Sequence, residues 1–299
     1  MSKEYTGPSS NTNPSKNSQY GFFNLLKKPI EVYIFVNPIC PKCWSLEPIV
    51  KKLRIEYGHY FKLRPVVCGS LANLNIDKLK SPKSIAQKWE KTASFTGMSC
   101  DGDVWLENPI SSPLFASVAI KAAELQGKRA GSMFLRKLQE HLFVGKKDIS
   151  KEDVLIQCAK EANLDLHEFK EDLHGDTAIK ALQCDLKLTQ EMEIDQLPAI
   201  VFFNLQDDQE GIKVTGLYSY DVYLNAFTEA LQKEPRKAPI PSLEEFIQHY
   251  QFVASKEISV VYDWSMEKTE REMKKLLIQQ KVEKVPAKYG TFWRLKETP

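Results

Sequence analysis

Long apolar stretches are missing from this 299-residue chain: no run of eighteen apolar residues occurs, which excludes an ordinary membrane-spanning helix. Met1 to Tyr20 lacks the apolar core of a signal peptide and is rich in Ser, Asn and Pro. A disordered tail is expected over residues 1–28, on a protein of the reducing cytoplasm. No charge of one sign dominates either. Lys and Arg number 41 against 39 Asp and Glu, a formal net charge of +2, so no global field recruits nucleic acid. Histidine is scarce and dispersed, at His59, His141, His167, His174 and His249, and no Cys/His spacing typical of zinc occurs. No metal and no cofactor are expected. The length is long for one domain and comfortable for two.

What is present begins with Cys40-Pro41-Lys42-Cys43. Upstream, Ile30 to Val36 reads as a short strand of β-branched and aromatic residues. Downstream, Trp44 to Tyr57 reads as a helix, with Leu46, Ile49, Val50, Leu53 and Ile55 near helical spacing. The pair therefore lies at a strand-to-helix junction, where helix N–H groups favour a thiolate at Cys40. Disulfide exchange needs such a thiolate. Cys68, Cys100, Cys158 and Cys184 stand singly and read as small buried hydrophobes, with only Cys100, in a Gly/Asp stretch, expected to be exposed.

Phe61 to Val67 is a second strand, giving a βαβ unit with parallel neighbours. A helical block follows from about residue 81 to 192, including Leu114 to Leu125 after Pro113, and a helix through Ala162 opened by a Ser150/Asp153 capping box. Asp165 to His174 and Asp176 to Met192 complete it. Strands return at Ala199 to Leu205 and Lys213 to Leu217, followed by a helix from Tyr220 to Lys233. Without the block the order is β-α-β then β-β-α. That is a thioredoxin-like fold with a helical insertion, expected over residues 29–235.

In thioredoxin folds a cis-proline faces the dithiol and precedes a strand, which points to Pro198 between Leu197 and Ala199. A buried acid six residues before the first cysteine usually moves protons there; here that position is Ile34. Only Glu31, at the strand entrance and expected to face solvent, is acidic, so proton transfer to the second thiol is expected to be poor.

Residues 236–241 form a Pro-rich linker. Beyond it a helix capped by Ser242, a strand Ile258 to Tyr262, a helix Met266 to Gln280 and a hairpin of Val282 to Val285 with Thr291 to Leu295 give a winged-helix-like α+β unit over residues 242–299. It holds ten basic and nine acidic residues, a balance of +1, with Glu267, Glu270 and Glu272 on the would-be recognition helix. That balance suits a protein-interaction module better than DNA binding.

Phe35 to Trp44, the helical insertion, Leu197-Pro198-Ala199 and the extension past the linker together resemble the SpxH (YjbH) family, over nearly the whole chain after about Gly21. The resemblance implies a cytoplasmic, DsbA-like adaptor. It would bind the transcription regulator Spx and promote its degradation by the ClpXP protease, without enzymatic activity, nucleic acid or membrane. Some members carry a His-rich amino-terminal stretch; here no histidine precedes His59. The alternative from the residues is a cytosolic thiol–disulfide oxidoreductase using Cys40, Cys43 and Pro198. A third reading has oxidation of the pair tune the adaptor.

Overall fold

A computed structural model of the chain describes residues 28–69, 81–207 and 210–296. The tail expected over residues 1–28 lies outside these, apart from Lys28. Strand β1 (Ile30–Val36) leads into α1 (Pro41–Ser45), α2 (Glu47–Tyr57) and β2 (Phe61–Val67). One continuous helix was expected from Trp44 to Tyr57, and the break at Leu46 follows from Pro48. A proline has no N–H to give, which is harmless only in the first turn of a helix. The chain restarts there, with Val50 N donating to Leu46 O at 3.1 Å.

The helical block contains α3 (Pro82–Thr96), α4 (Val104–Glu107), α5 (Pro113–Leu125), α6 (Lys128–Phe143), α7 (Glu152–Glu161), α8 (Leu166–His174) and α9 (Asp176–Glu191). The expected Ser150/Asp153 box does not form, and α7 starts after Lys151 without a side-chain cap. Ser150 is used elsewhere: its hydroxyl donates to Asp148 and accepts Ser112 N at 3.1 Å, tying two loops together. Then come β3 (Ala199–Asn204), β4 (Ile212–Thr215) and α10 (Tyr220–Leu231).

Among the described residues β1 to β4 form one sheet in the order β2-β1-β3-β4. β1 runs parallel to β2 and antiparallel to β3, with Phe35 opposite Val66 on one side and Ala199 on the other. Helices cover the sheet, so central strands are buried on both faces and read as continuous apolar runs. Ile30, Val32, Ile34 and Phe35 of β1 and Ala199 to Phe202 of β3 are all buried.

The remaining elements are α11 (Leu243–Tyr250), β5 (Phe252–Ala254), α12 (Ser255–Tyr262), α13 (Met266–Ile278), β6 (Val282–Pro286) and β7 (Thr291–Leu295). Ser242 and Glu245 close a capping box at α11, Ser242 N donating to the Glu245 carboxylate at 2.8 Å. The strand expected at Ile258 to Tyr262 is instead the helix α12. Its β-branched run favours a strand locally, but tertiary packing overrides propensity: Ile258 and Val261, one helical turn apart, are both buried. Glu257 also accepts Ala254 N at 2.7 Å and so caps the first turn.

β5, β7 and β6 make a small antiparallel sheet in that order. Its period-2 alternation puts side chains into two different cores. Val253 and Trp293 join Phe246, Ile258, Met273 and Val282 on one face. Phe252, Ala254 and Phe292 join the core of the large sheet and its helices on the other. The Pro-rich stretch runs along α2, where Ala238 N donates to Glu56 O at 2.8 Å.

Candidate functional site

Cys40 ends the loop after β1 and caps α1. Its Sγ accepts the Cys43 N–H at 3.4 Å, and Pro41 occupies the first turn, where no N–H is missed. Asn37 shapes the loop, accepting Ile39 N at 3.0 Å and donating to Cys68 O at 3.1 Å. Both cysteines are free and buried, with relative exposures of 2% and 3%. The Cys43 thiol, hydrogen-bonded to the Cys40 sulfur, holds the Cys40 pKa below its ordinary value. Backbone N–H groups and the Lys42 ammonium assist, and burial opposes. Burial and the same shared hydrogen bond push Cys43 well up. The asymmetry makes Cys40 the more acidic of the two thiols and Cys43 the one that holds its proton more tightly.

The Leu197–Pro198 peptide bond is cis, and β3 begins at Ala199 opposite Phe35, which sets Pro198 beside the end of β1. Ile34 is buried at the position where an acid was sought, and Glu31 is half-buried, accepting the Tyr33 hydroxyl at 3.2 Å. A buried carboxylate does lie nearby on another element: Asp185 of α9 accepts Val67 N at 2.8 Å and Lys121 Nζ at 2.9 Å. Sequence reasoning missed this pair. The available signal was Lys121 itself, one charge amid the apolar Ala116 to Ala123 of α5. Asp185 is held by Val67 and Lys121, and its charge is felt at the neighbouring Cys68. Burial pushes the Cys68 thiol up to about 12, relieved by Thr189 and aggravated by the Asp185 charge.

Two single cysteines depart from expectation. Cys100 is fully buried, its thiol donating to Trp89 O at 3.0 Å, and Cys184 is exposed. The buried face of α9 is Ala178, Leu182, Asp185 and Thr189, and position 184 falls off it.

Trp44, the residue after Cys43, connects the dithiol helix to the carboxy-terminal elements. It is completely buried. Its ring stacks between Phe143 of α6, at 5.6 Å, and Phe292 of β7, at 6.2 Å. The Arg136 guanidinium sits 4.4 Å from its ring centre, and its Nε1 donates to Ser99 O at 2.9 Å. Arg136 in turn makes a two-pronged contact to Glu257, at 2.9 and 3.1 Å, and reaches Phe252 O at 3.2 Å. Lys51 of α2 donates to the same carboxylate. Burial opposes ionisation of Glu257, but Arg136 and Lys51 outweigh it and hold its pKa at about 2. A largely buried, paired charge cluster thus joins α2, α6 and α12.

A second cluster closes the seam at the hairpin tip. The carboxylates of Glu90, Asp101 and Asp103 converge, a grouping that could hold a metal ion. Lys288 supplies a cation to it, paired with Glu90 and lying 2.9 Å from Asp103 and 3.8 Å from Asp101. Next to it, Tyr289 N donates to Ser99 Oγ at 3.3 Å. Among the described residues no helix is long and apolar enough to cross a membrane.

The sheet order, the helical insertion and the Cys-Pro-Lys-Cys junction define a DsbA-like thioredoxin fold. A family model described as thioredoxin matches residues 33–225. A solved structure of a putative protein disulfide isomerase from Nitrosomonas europaea matches with a TM-score of 0.57 at 19% identity, covering 68% of this chain and 96% of that one. Within that class the chain belongs to the SpxH family. It is 54% identical over 274 residues to the ClpXP adapter protein SpxH of Bacillus subtilis (strain 168), covering 91% of each chain. It is 51% identical over 276 residues to the protein of the same name from Halalkalibacterium halodurans, covering 91% of this chain and 90% of that one.

Proposed function

We propose that this protein is a cytoplasmic adaptor that binds the transcription regulator Spx and promotes its degradation by ClpXP. The observation that carries the reading is the likeness, over 91% of the chain, to proteins named as ClpXP adapters. The site supports it. An enzyme that turns over disulfide substrates must present its attacking thiolate, whereas Cys40 is 2% exposed and its helix is covered by an additional unit. A linker at 236–241 and a winged-helix-like interaction module at 242–299 would supply a second contact. Two tethered contacts raise effective concentration. Duplex DNA is not its ligand in this reading: Glu267 is exposed on α13, and Lys288 at the hairpin tip is already paired with carboxylates. Reconstituted proteolysis tests the proposal. Adding the protein is expected to raise the rate of Spx degradation by ClpXP several-fold; an unchanged rate would refute it.

The second reading, a thiol–disulfide oxidoreductase using Cys40, Cys43 and Pro198, is favoured by one observation, the lowered Cys40 pKa. Turnover of a model disulfide, lost in Cys40→Ala, would support it. Spx degradation that persists in that variant would make the redox chemistry separate from the adaptor role.

A further inference from the structure

Charge along the seam between α2 and α6 changes character from one end to the other. At one end it is matched: Arg136 of α6 lies 3.6 Å from Glu47, the first residue of α2, and both Arg136 and Lys51 hold Glu257. Two turns after Glu47 along α2 comes Arg54, and two turns before Arg136 along α6 comes Arg129. That spacing keeps each arginine on the face of its helix that meets the other at the matched end. α11 ends beside them. The Tyr250 ring lies 5.0 Å from Lys51 Nζ, and Arg136 reaches the nearby Phe252 O at 3.2 Å. His249 therefore sits at the arginine end, where burial and then the charges of Arg54, Arg129 and Lys51 hold its pKa down.

No acid answers these cations. Arg54, Arg129 and His249 are exposed, and among the described residues neither arginine has a hydrogen-bond or ion-pair partner. Glu245, one turn from His249, is turned back onto Ser242 N at 2.8 Å and its hydroxyl at 2.7 Å. Glu244 is taken by Lys281. The first turn of α6 carries Lys128 and Arg129 and no acidic residue, although the helix dipole favours an anion there. One turn past Arg54, the Lys28 ammonium donates to Gly58 O at 2.6 Å. Burial, then the charges of Arg54 and Lys62, lower its pKa, so the cationic stripe continues to the start of β2. In a chain of net charge +2, so many unanswered cations in one place raise the free energy of the unliganded molecule.

We propose that this end of the seam, formed by Arg54, Arg129 and His249 with Lys28 beside them, is a docking site for an acidic peptide segment of a partner protein. Guanidinium groups take carboxylates two hydrogen bonds at a time. The surface among the cations is not uniformly polar. Met133, one turn on from Arg129, is 36% exposed, and Tyr250 is half-buried against His249. Apolar groups set between cations fit a peptide that mixes Asp or Glu with apolar side chains. They give a sugar–phosphate backbone nothing to bond, and the Tyr250 ring is already engaged by Lys51 and Phe246 instead of open to a base.

Fluorescence anisotropy of the full-length protein with a short fluorescein-labelled peptide of Asp, Glu and Leu tests this. Neither Spx nor ClpXP is present, so failure here is distinct from failure of the adaptor reading. The wild type is expected to bind the peptide and to ignore its Asn/Gln counterpart. Binding should weaken about tenfold or more in Arg54→Glu/Arg129→Glu. Should that variant fail to fold, Arg54→Gln/Arg129→Gln removes the charges more gently and should weaken binding about threefold or more. Lys274→Glu/Lys275→Glu makes the same change of net charge on α13 and should weaken it less than about twofold. Raising salt from about 0.05 M to about 0.5 M should also weaken wild-type binding several-fold. No binding by the wild type would overturn the proposal. So would equal weakening by the α13 variant, or tighter binding of a single-stranded oligonucleotide of the same charge.

Discussion

Two charge clusters tie the carboxy-terminal elements to the thioredoxin-like part, and they differ in what surrounds them. Around Glu257, the carboxylate side chain is 0% exposed, Lys51 6% and Arg136 17%, and every oxygen is used. Around Lys288, the ammonium side chain is 35% exposed and its carboxylate partners between 15% and 36%. The number of ionic contacts is similar; the dielectric around them is not. Water competes for and screens the second cluster, whereas the first can exist only if all its charges are matched. The buried cluster therefore governs whether the seam closes, and the exposed one adjusts how tightly the hairpin tip lies down.

The largest expected effect comes from unmatching the buried cluster. Glu257→Ala takes from Arg136 and Lys51 the fully buried carboxylate they share, leaving them the more exposed Glu47 and, on Arg136, Glu140, and should cost about 3 kcal/mol in urea unfolding. A cost below about 1 kcal/mol would mean that water reaches these groups and that the contrast between the clusters is false.

Acid comes next, through the same group. The folded pKa of Glu257, about 2, lies below its unfolded value of about 4.3, so its contribution is fully present above about pH 4.5 and lost as pH falls towards 2. A shift of this size corresponds to about 3 kcal/mol. The stability difference between wild type and Glu257→Gln should shrink by roughly that amount between about pH 5 and pH 2. A difference that stays constant over that window would place the ionisation elsewhere.

Neither cluster was legible in the sequence, although the fold around them largely was. β1 and β3 announce themselves as apolar runs because both faces of the central strands are covered, and Cys40, Cys43 and Pro198 stand at recognisable places in that order of elements. Glu257 carries no such signal. Its partners are 121 and 206 residues away, and the run Ile258 to Tyr262 beside it reads as a strand until α12 is packed on α2. Lys121 and Asp185 were hidden in the same way, on two helices whose packing brings together charges 64 residues apart. Cys100 and Cys184 were assigned in reverse, because local composition says nothing about which side of a helix or loop meets the core. Periodicity reports faces; it does not report which distant charge arrives to neutralise one of them.

Trp44→Phe sharpens the comparison from the uncharged side of the seam. The variant keeps a ring between Phe143 and Phe292 and under Arg136 but leaves the Ser99 carbonyl without its indole donor. An unsatisfied buried acceptor together with lost ring area should cost about 1–2 kcal/mol in urea unfolding, less than the loss of Glu257. A larger cost than Glu257→Ala would make the aromatic stack, not the ion cluster, the main fastening.

The smallest effect is expected at Lys288. Lys288→Ala removes an exposed ion pair and should change stability by less than about 1 kcal/mol. Its remaining cost has a specific origin: Glu90, Asp101 and Asp103 are left close together with no cation among them. Asp103→Asn made in the same chain relieves part of that repulsion, so the double variant should be less destabilised than the two single effects added together. Both the single cost and the coupling should fade in about 1 M salt, where the screening length falls to about 3 Å. The effect of Glu257→Ala should hardly change there. Equal salt sensitivity at the two positions would erase the distinction between a buried cluster that determines closure and a surface one that trims it.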